Sequence, residues 1–178
     1  MPAPPPRRAP GHVFDTVVVR DLSSAGLLAA ACYALAAPGC GAQAVAAASE
    51  LASEREHLER YGVLILALDE AMTLTAAELL AQHRGLSRFD IEALLLAERA
   101  RARLLTNERP LTQLARLRGV EAHGSLWVVQ MLWERRVIDP AAGLQAIQAM
   151  IERGSRLPQE QVGRLRRRLK DAIALGGE

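Results

Sequence analysis

The chain has 178 residues and a net charge of +2, with half of its residues hydrophobic and 3% aromatic. That length closes one well-filled core with a small appendage, so one domain is the expectation. The scarcity of aromatics argues against a base-stacking platform for single strands, and the apolar stretch from Ala25 to Ala37 is too short to span a bilayer.

Residues 1–11 carry five of the nine prolines and read as a disordered lead-in. VFDTVVV at 13–19 is a β-branched run of the kind found in a strand buried on both faces, the central strand of a parallel sheet. LSSAGLLAAACYAL carries helical spacing, and YALAAPG has room for a short second strand stopped by Pro38 and Gly39. Asp15, Arg20 and Asp21 interrupt what would lead a signal peptide into its apolar core. Helix formers dominate from Ala42 to Arg60, where Glu50, Glu54 and His57 recur on one face at intervals of three and four.

Gly62 ends that helix, and VLILAL at 63–68 reads as another buried strand. TLTAAELLAQHRG predicts a helix capped by Thr75, with Glu78 three residues on. SRFDIEALLLAERARA repeats the device with Ser87 as cap and Asp90 at the third helical position. RLLTN then supplies a short strand, PLTQLARLRG a helix with proline in its first turn, and VEAHG a last short strand. Three consecutive helical patterns complete the chain. Alternation over residues 12–124 predicts an α/β fold: three layers, α/β/α, around a central, mostly parallel twisted sheet, plus C-terminal helices.

Four acids stand where elements end or begin: Asp15, Glu50, Asp90 and Glu108. Carboxylates at the carboxyl ends of parallel strands converge on one edge of the sheet. Two like charges 4 Å apart repel by ~1 kcal/mol in water and ~4 kcal/mol at an effective dielectric near 20, so a cluster calls for a cation. Taken singly, Asp90 and Glu108 also suit helix N-termini, a setting that stabilises them by ~0.3–1 kcal/mol. Glu50 alone suits a solvated helix face. Asp15, ending a doubly buried strand, is costly unless paired or coordinated. Cys32 and Cys40 lie eight positions apart, and His12, His57, His83 and His123 occur singly. No zinc pattern emerges, and a reducing cytoplasm fits best. The basic run RLRRRLK at 164–170 reads as the solvated face of a terminal helix, and otherwise as ground for a phosphate polymer.

Four stretches, in order, resemble the PIN-domain family, the metal-dependent ribonuclease fold shared by VapC-type toxins of bacterial toxin–antitoxin pairs. They are FDT at 14–16 with AGLL at 25–28, Glu50-Leu51, GLSRFDIEALLLAERARARLLTNERPL at 85–111, and HGSL at 123–126. The helices after Ile138 are similar to a subgroup with a C-terminal helical extension. The resemblance implies a lead-in at 1–11, a PIN-like domain at 12–136 and an extension at 137–178 packed on the same domain.

It implies hydrolysis of RNA with Mg²⁺ or Mn²⁺ by catalytic Asp15, Glu50, Asp90 and Glu108. In that scheme Asp15 and Asp90 ligate the metal directly, Glu108 does so directly or through water, and Glu50 orients a hydrated ion or the attacking water. Glu54, one turn later, competes with Glu50. Thr16, Asn107 and Ser125 would hydrogen-bond the carboxylates or the phosphate, while Arg20, Arg88 and Arg109 would clamp flanking phosphates. Three departures stand out: Val17 replaces a small polar residue, Glu108 stands where aspartate is commoner, and the long spacing from Pro38 to Glu50 is what brings Glu54 into competition. The implied partners are RNA, a second copy in a homodimer, and a small antitoxin protein, all in the cytoplasm and away from membranes. Two rival readings are a PIN fold that only binds a partner, and a helix-turn-helix at 111–138.

Overall fold

Five strands of two or three residues each are enough to order this molecule. The structure is a computed structural model that describes residues 11–36, 43–44 and 52–175. The strands are β1 (His12–Phe14), β2 (Gln43–Ala44), β3 (Leu64–Ile65), β4 (Arg103–Leu105) and β5 (Ala122–His123). They pair in parallel in the order β3-β2-β1-β4-β5. The helices are α1 (Thr16–Ser24), α2 (Leu28–Leu35), α3 (Ala52–Arg60), α4 (Glu70–Gln82), α5 (Arg88–Ala100), α6 (Arg109–Leu117), α7 (Ser125–Glu134), α8 (Pro140–Glu152) and α9 (Gln159–Leu175).

The two-residue period of the strands divides the core into two layers. Val13 and Leu104 face one side, where Leu79, Ile91, Leu94 and Leu111 of α4, α5 and α6 cover them. Phe14 and Leu105 face the other, among Val18 and Leu22 of α1, Leu132 of α7, Ile147 of α8 and Leu165 of α9. The fold is therefore α/β in three layers, with the C-terminal helices built into one of them. Gly143 lets α8 approach α9 closely, because a Cβ there would stand 3.1 Å from a Leu169 methyl. Among the described residues no helix is long and apolar enough to cross a membrane. Cys32 is a buried free thiol whose pKa burial pushes up to about 12, while Cys40 lies outside the described residues.

Several local expectations change. Val17, Val18 and Val19 are helical: the chain leaves β1 at Asp15, whose carbonyl accepts the first bonds of α1 from Val18 at 3.1 Å and Val19 at 3.2 Å. The helix propensity lost by a valine is at most ~0.7 kcal/mol, less than burying it returns, and Val18 and Val19 are fully buried. Thr75 is not a cap. Helix α4 begins at Glu70, Asp69 accepts the Met72 amide at 2.9 Å, and the Thr75 hydroxyl bonds back to the Ala71 carbonyl.

VLILAL contributes only Leu64–Ile65 to the sheet. Tyr33–Leu35 belong to α2, and the rest of the expected strand at YALAAPG, like the proline-rich lead-in up to Pro10, lies outside the described residues. The helix-turn-helix reading fails because β5 pairs with β4 between α6 and α7, and α7 buries Val128, Val129, Met131 and Leu132. Buried in this way, α7 cannot serve as a groove-reading helix.

Candidate active site

The order of the strands reverses direction between β1 and β4. Chain connections that run outward from β1 to β3 jump back across to β4, which leaves a crevice beyond the carboxyl ends of these two neighbours. Register aligns Phe14 with Leu105, and the Asp15 amide donates to the Leu105 carbonyl at 2.9 Å. Asp15 and Thr106 are thus the first residues past the two strands. The Thr106 hydroxyl donates to Asp15 Oδ2 at 2.7 Å and accepts the Glu108 amide at 3.0 Å. One hydroxyl thereby ties the first acid to the loop that carries the last.

Asp15 is 3% exposed. Burial pushes its pKa up to about 6; the Thr106 hydrogen bond opposes this, and the charges of Asp90 and Glu108 add to it. Two of the other acids singled out in the sequence thus bear electrostatically on Asp15. Asp90 closes a capping box on α5: its Oδ2 accepts the Ser87 amide at 2.7 Å, and its own amide donates to Ser87 Oγ at 3.2 Å. Glu108 is the N-cap of α6, yet its carboxylate accepts no capping bond. Helix capping therefore leaves the Glu108 side chain uncommitted and occupies that of Asp90. Glu50 lies outside the described residues. Glu54 belongs to α3, and its side chain is also outside them.

A second carboxylate organises the adjoining wall. Asp21, on the buried face of α1, is 5% exposed. Its Oδ2 accepts from Asn107 Nδ2 at 2.6 Å and from Ser125 Oγ at 2.7 Å, and its Oδ1 accepts from the Ser155 hydroxyl. Asn107 Oδ1 in turn accepts the Ser125 amide at 2.9 Å. Gly124 makes room for this, since a Cβ there would stand 2.5 Å from Asn107 Oδ1. Asn107 and Ser125 thus serve Asp21, not the acids of the metal-site expectation. Thr16 is buried at the start of α1, and among the described residues its hydroxyl bonds no carboxylate.

Sequence reasoning missed Thr106, Asp21 and Ser155. Asp21 carried a usable signal, an acid between Val18 and Leu22 on an otherwise apolar helical face. Extending the first strand through Val19 concealed it. Of the expected phosphate clamps, Arg88 pairs with Glu92 at 2.6 Å. Arg20 and Arg109 border a cavity of about 770 Å³ together with Val17, Asp21, Asn107 and Glu108.

Among the described residues no group of three or more His, Cys, Asp or Glu side chains is gathered closely enough to hold a metal ion. The chemistry of the donor set nevertheless fits a hard divalent cation: carboxylate oxygens, with the ionised form of Asp15 disfavoured by burial and by two like charges.

Compared with known proteins, residues 12–171 match the family model of the PIN domain, a span that includes α8 and most of α9. No curated protein and no solved structure gives a match.

Proposed function

The chain belongs to the PIN-domain family, and on that premise we propose that it is a Mg²⁺- or Mn²⁺-dependent ribonuclease hydrolysing RNA phosphodiester bonds. PIN domains are typically nucleases that bind divalent metals through acidic residues. The carrying observation is the buried Asp15, placed at the strand switch point and raised in pKa by burial and by the charges of Asp90 and Glu108. A bound divalent ion supplies Lewis-acid stabilisation of the scissile phosphate and an ionised water at neutral pH.

In this reading Asp15 and Asp90 hold the ion, and Glu108 does so directly or through water. Glu50, or Glu54 one turn later, orients the hydrated ion or the attacking water. Thr106 fixes the Asp15 carboxylate, and Arg20 and Arg109 hold phosphates in the adjoining cavity. The ordered match of motifs to VapC-type toxins supports a cytoplasmic toxin that forms a homodimer and is held by a small antitoxin protein. A second reading, a PIN fold that binds a partner without cleaving, is favoured by Val17 at the cavity wall and by the unclosed acid cluster.

Cleavage of an RNA pool with Mn²⁺ separates the two readings. The parent is expected to cut and Asp90→Asn to lose the activity, together with calorimetric Mn²⁺ binding. Equal cleavage by both proteins sinks the ribonuclease assignment.

A further inference from the structure

The cavity beside the acids has two walls from distant parts of the chain. One is α1 with the segment from Asn107 to Pro110; the other is the turn between α8 and α9, from Arg153 to Arg156. Four arginines border it, Arg20, Arg109, Arg153 and Arg156, against two acids, Glu108 and Asp21. Asp21 is buried and already satisfied by three donors. Arg109, Arg153 and Arg156 are exposed and make no ion pair among the described residues. On the neighbouring α9, Arg164 pairs with Glu160, and Arg168 with Glu134 while lying over the Trp133 ring. Arg109, Arg153 and Arg156 thus suit an anion arriving from solution, and the planar guanidinium fork matches phosphate oxygens in pairs.

The turn is held firmly. Gly154 takes a φ of 86° at its reversal, the Ser155 amide donates to the Met150 carbonyl at 3.0 Å, and the Ser155 hydroxyl donates to Asp21. Leu157 then anchors the far side in the core. The two arginines are thus carried on a fixed backbone facing the wall that bears Glu108.

Resting on the ribonuclease reading of the acids, we infer that the α8–α9 turn is the phosphate-binding wall of the site, with Arg153 and Arg156 holding RNA backbone phosphates that flank the scissile one. The extension then binds substrate as well as filling the core.

The test is anisotropy of a short single-stranded RNA with metal chelated, over a range of salt, for the parent, Arg153→Ala/Arg156→Ala, and Arg167→Ala/Lys170→Ala. The last pair removes the same charge from exposed positions of α9 that do not border the cavity. The turn variant is expected to bind at least ~10-fold more weakly, with a slope of log affinity against log salt shallower by ~1.4, since each arginine–phosphate pair contributes ~0.7 to that slope. The control pair stays within ~2-fold of the parent. A turn variant that matches the parent in affinity and slope overturns the inference. So does a control pair that weakens as much. A parent that binds through these arginines yet cleaves nothing with Mn²⁺ keeps the phosphate-binding wall and overturns the ribonuclease reading. Cleavage indifferent to the arginines does the reverse.

Discussion

The Thr106 hydroxyl reaches the Asp15 carboxylate at 2.7 Å across 91 positions of sequence, and the same oxygen accepts the Glu108 amide. With a donor on one side and an acceptor on the other, the hydroxyl proton is committed to Asp15. Thr106→Val keeps the shape and removes both bonds. Mn²⁺ binding followed by calorimetry is expected to weaken ~10- to 100-fold, the usual effect of losing a partner that orients a ligand. Thr106→Ser is expected to restore most of it. Parent-like affinity in the valine variant would show that the hydroxyl does not orient Asp15.

Metal-free stability carries two opposed pH dependences. Asp15 has a pKa raised from 3.8 to about 6, so the folded state holds its proton more tightly than the unfolded chain. Its contribution is fully present below 3.8 and is lost as pH rises to about 6, on the order of 3 kcal/mol at ~1.4 kcal/mol per unit. His12 runs the other way. Burial and the nearby Arg103 charge lower its pKa from 6.5 to about 4. Its contribution is present above 6.5 and is lost as pH falls to about 4. Urea unfolding of the metal-free parent between these limits is expected to show a shallow slope. Asp15→Asn should be more stable than the parent at neutral pH and should lose stability steeply on acidification. An Asp15→Asn profile parallel to that of the parent rejects this assignment.

Asp21 is the acceptor for three side-chain donors from three parts of the chain, so Asp21→Ala strands Asn107, Ser125 and Ser155 together. A loss of ~3 kcal/mol is expected from the denaturation midpoint, at unchanged m-value, with Asp21→Asn losing less because its amide oxygen still accepts. A loss below ~1 kcal/mol in the alanine variant would mean that solvent satisfies these groups.

Gly124→Ala places a methyl 2.5 Å from Asn107 Oδ1, where something must move. The expected result is a loss of ~1–3 kcal/mol, as for other overpacked sites, together with reduced RNA cleavage as the segment from Thr106 to Glu108 shifts. Normal activity and midpoint in this variant would contradict the tight approach.

The capping role of Asp90 and its proposed metal ligation separate by mutation. Ser87→Ala removes one arm of the capping box and is expected to cost ~1 kcal/mol in thermal unfolding while Mn²⁺-dependent cleavage persists. Asp90→Asn should abolish cleavage at a comparable stability cost. If both variants lose cleavage equally, capping rather than ligation is the function of this carboxylate.

The order of strands and helices is legible because turn residues and apolar runs repeat it many times over. Ser87 with Asp90 announces α5, Pro110 marks the first turn of α6, and Gly62 follows α3. The boundary at Asp15 is hidden, because Val17–Val19 favour a strand locally and only burial against α7 and α8 makes them helical. Asp15, Asp90 and Glu108 stand out in the sequence through their place at element ends, and the Glu50 and Glu54 alternatives fall where side chains are not described. Ser155 is illegible in principle, since nothing local distinguishes a turn serine that meets an acid 134 positions away.

That separation also orders events in time. Closing a loop of this length comes late in folding, after the nearer parts of the chain have packed. A growing polypeptide displays its acids long before it can display Ser155. The frame that holds Asp21, Asn107 and the α8–α9 turn in place is therefore completed only once the chain has been made through Ser155.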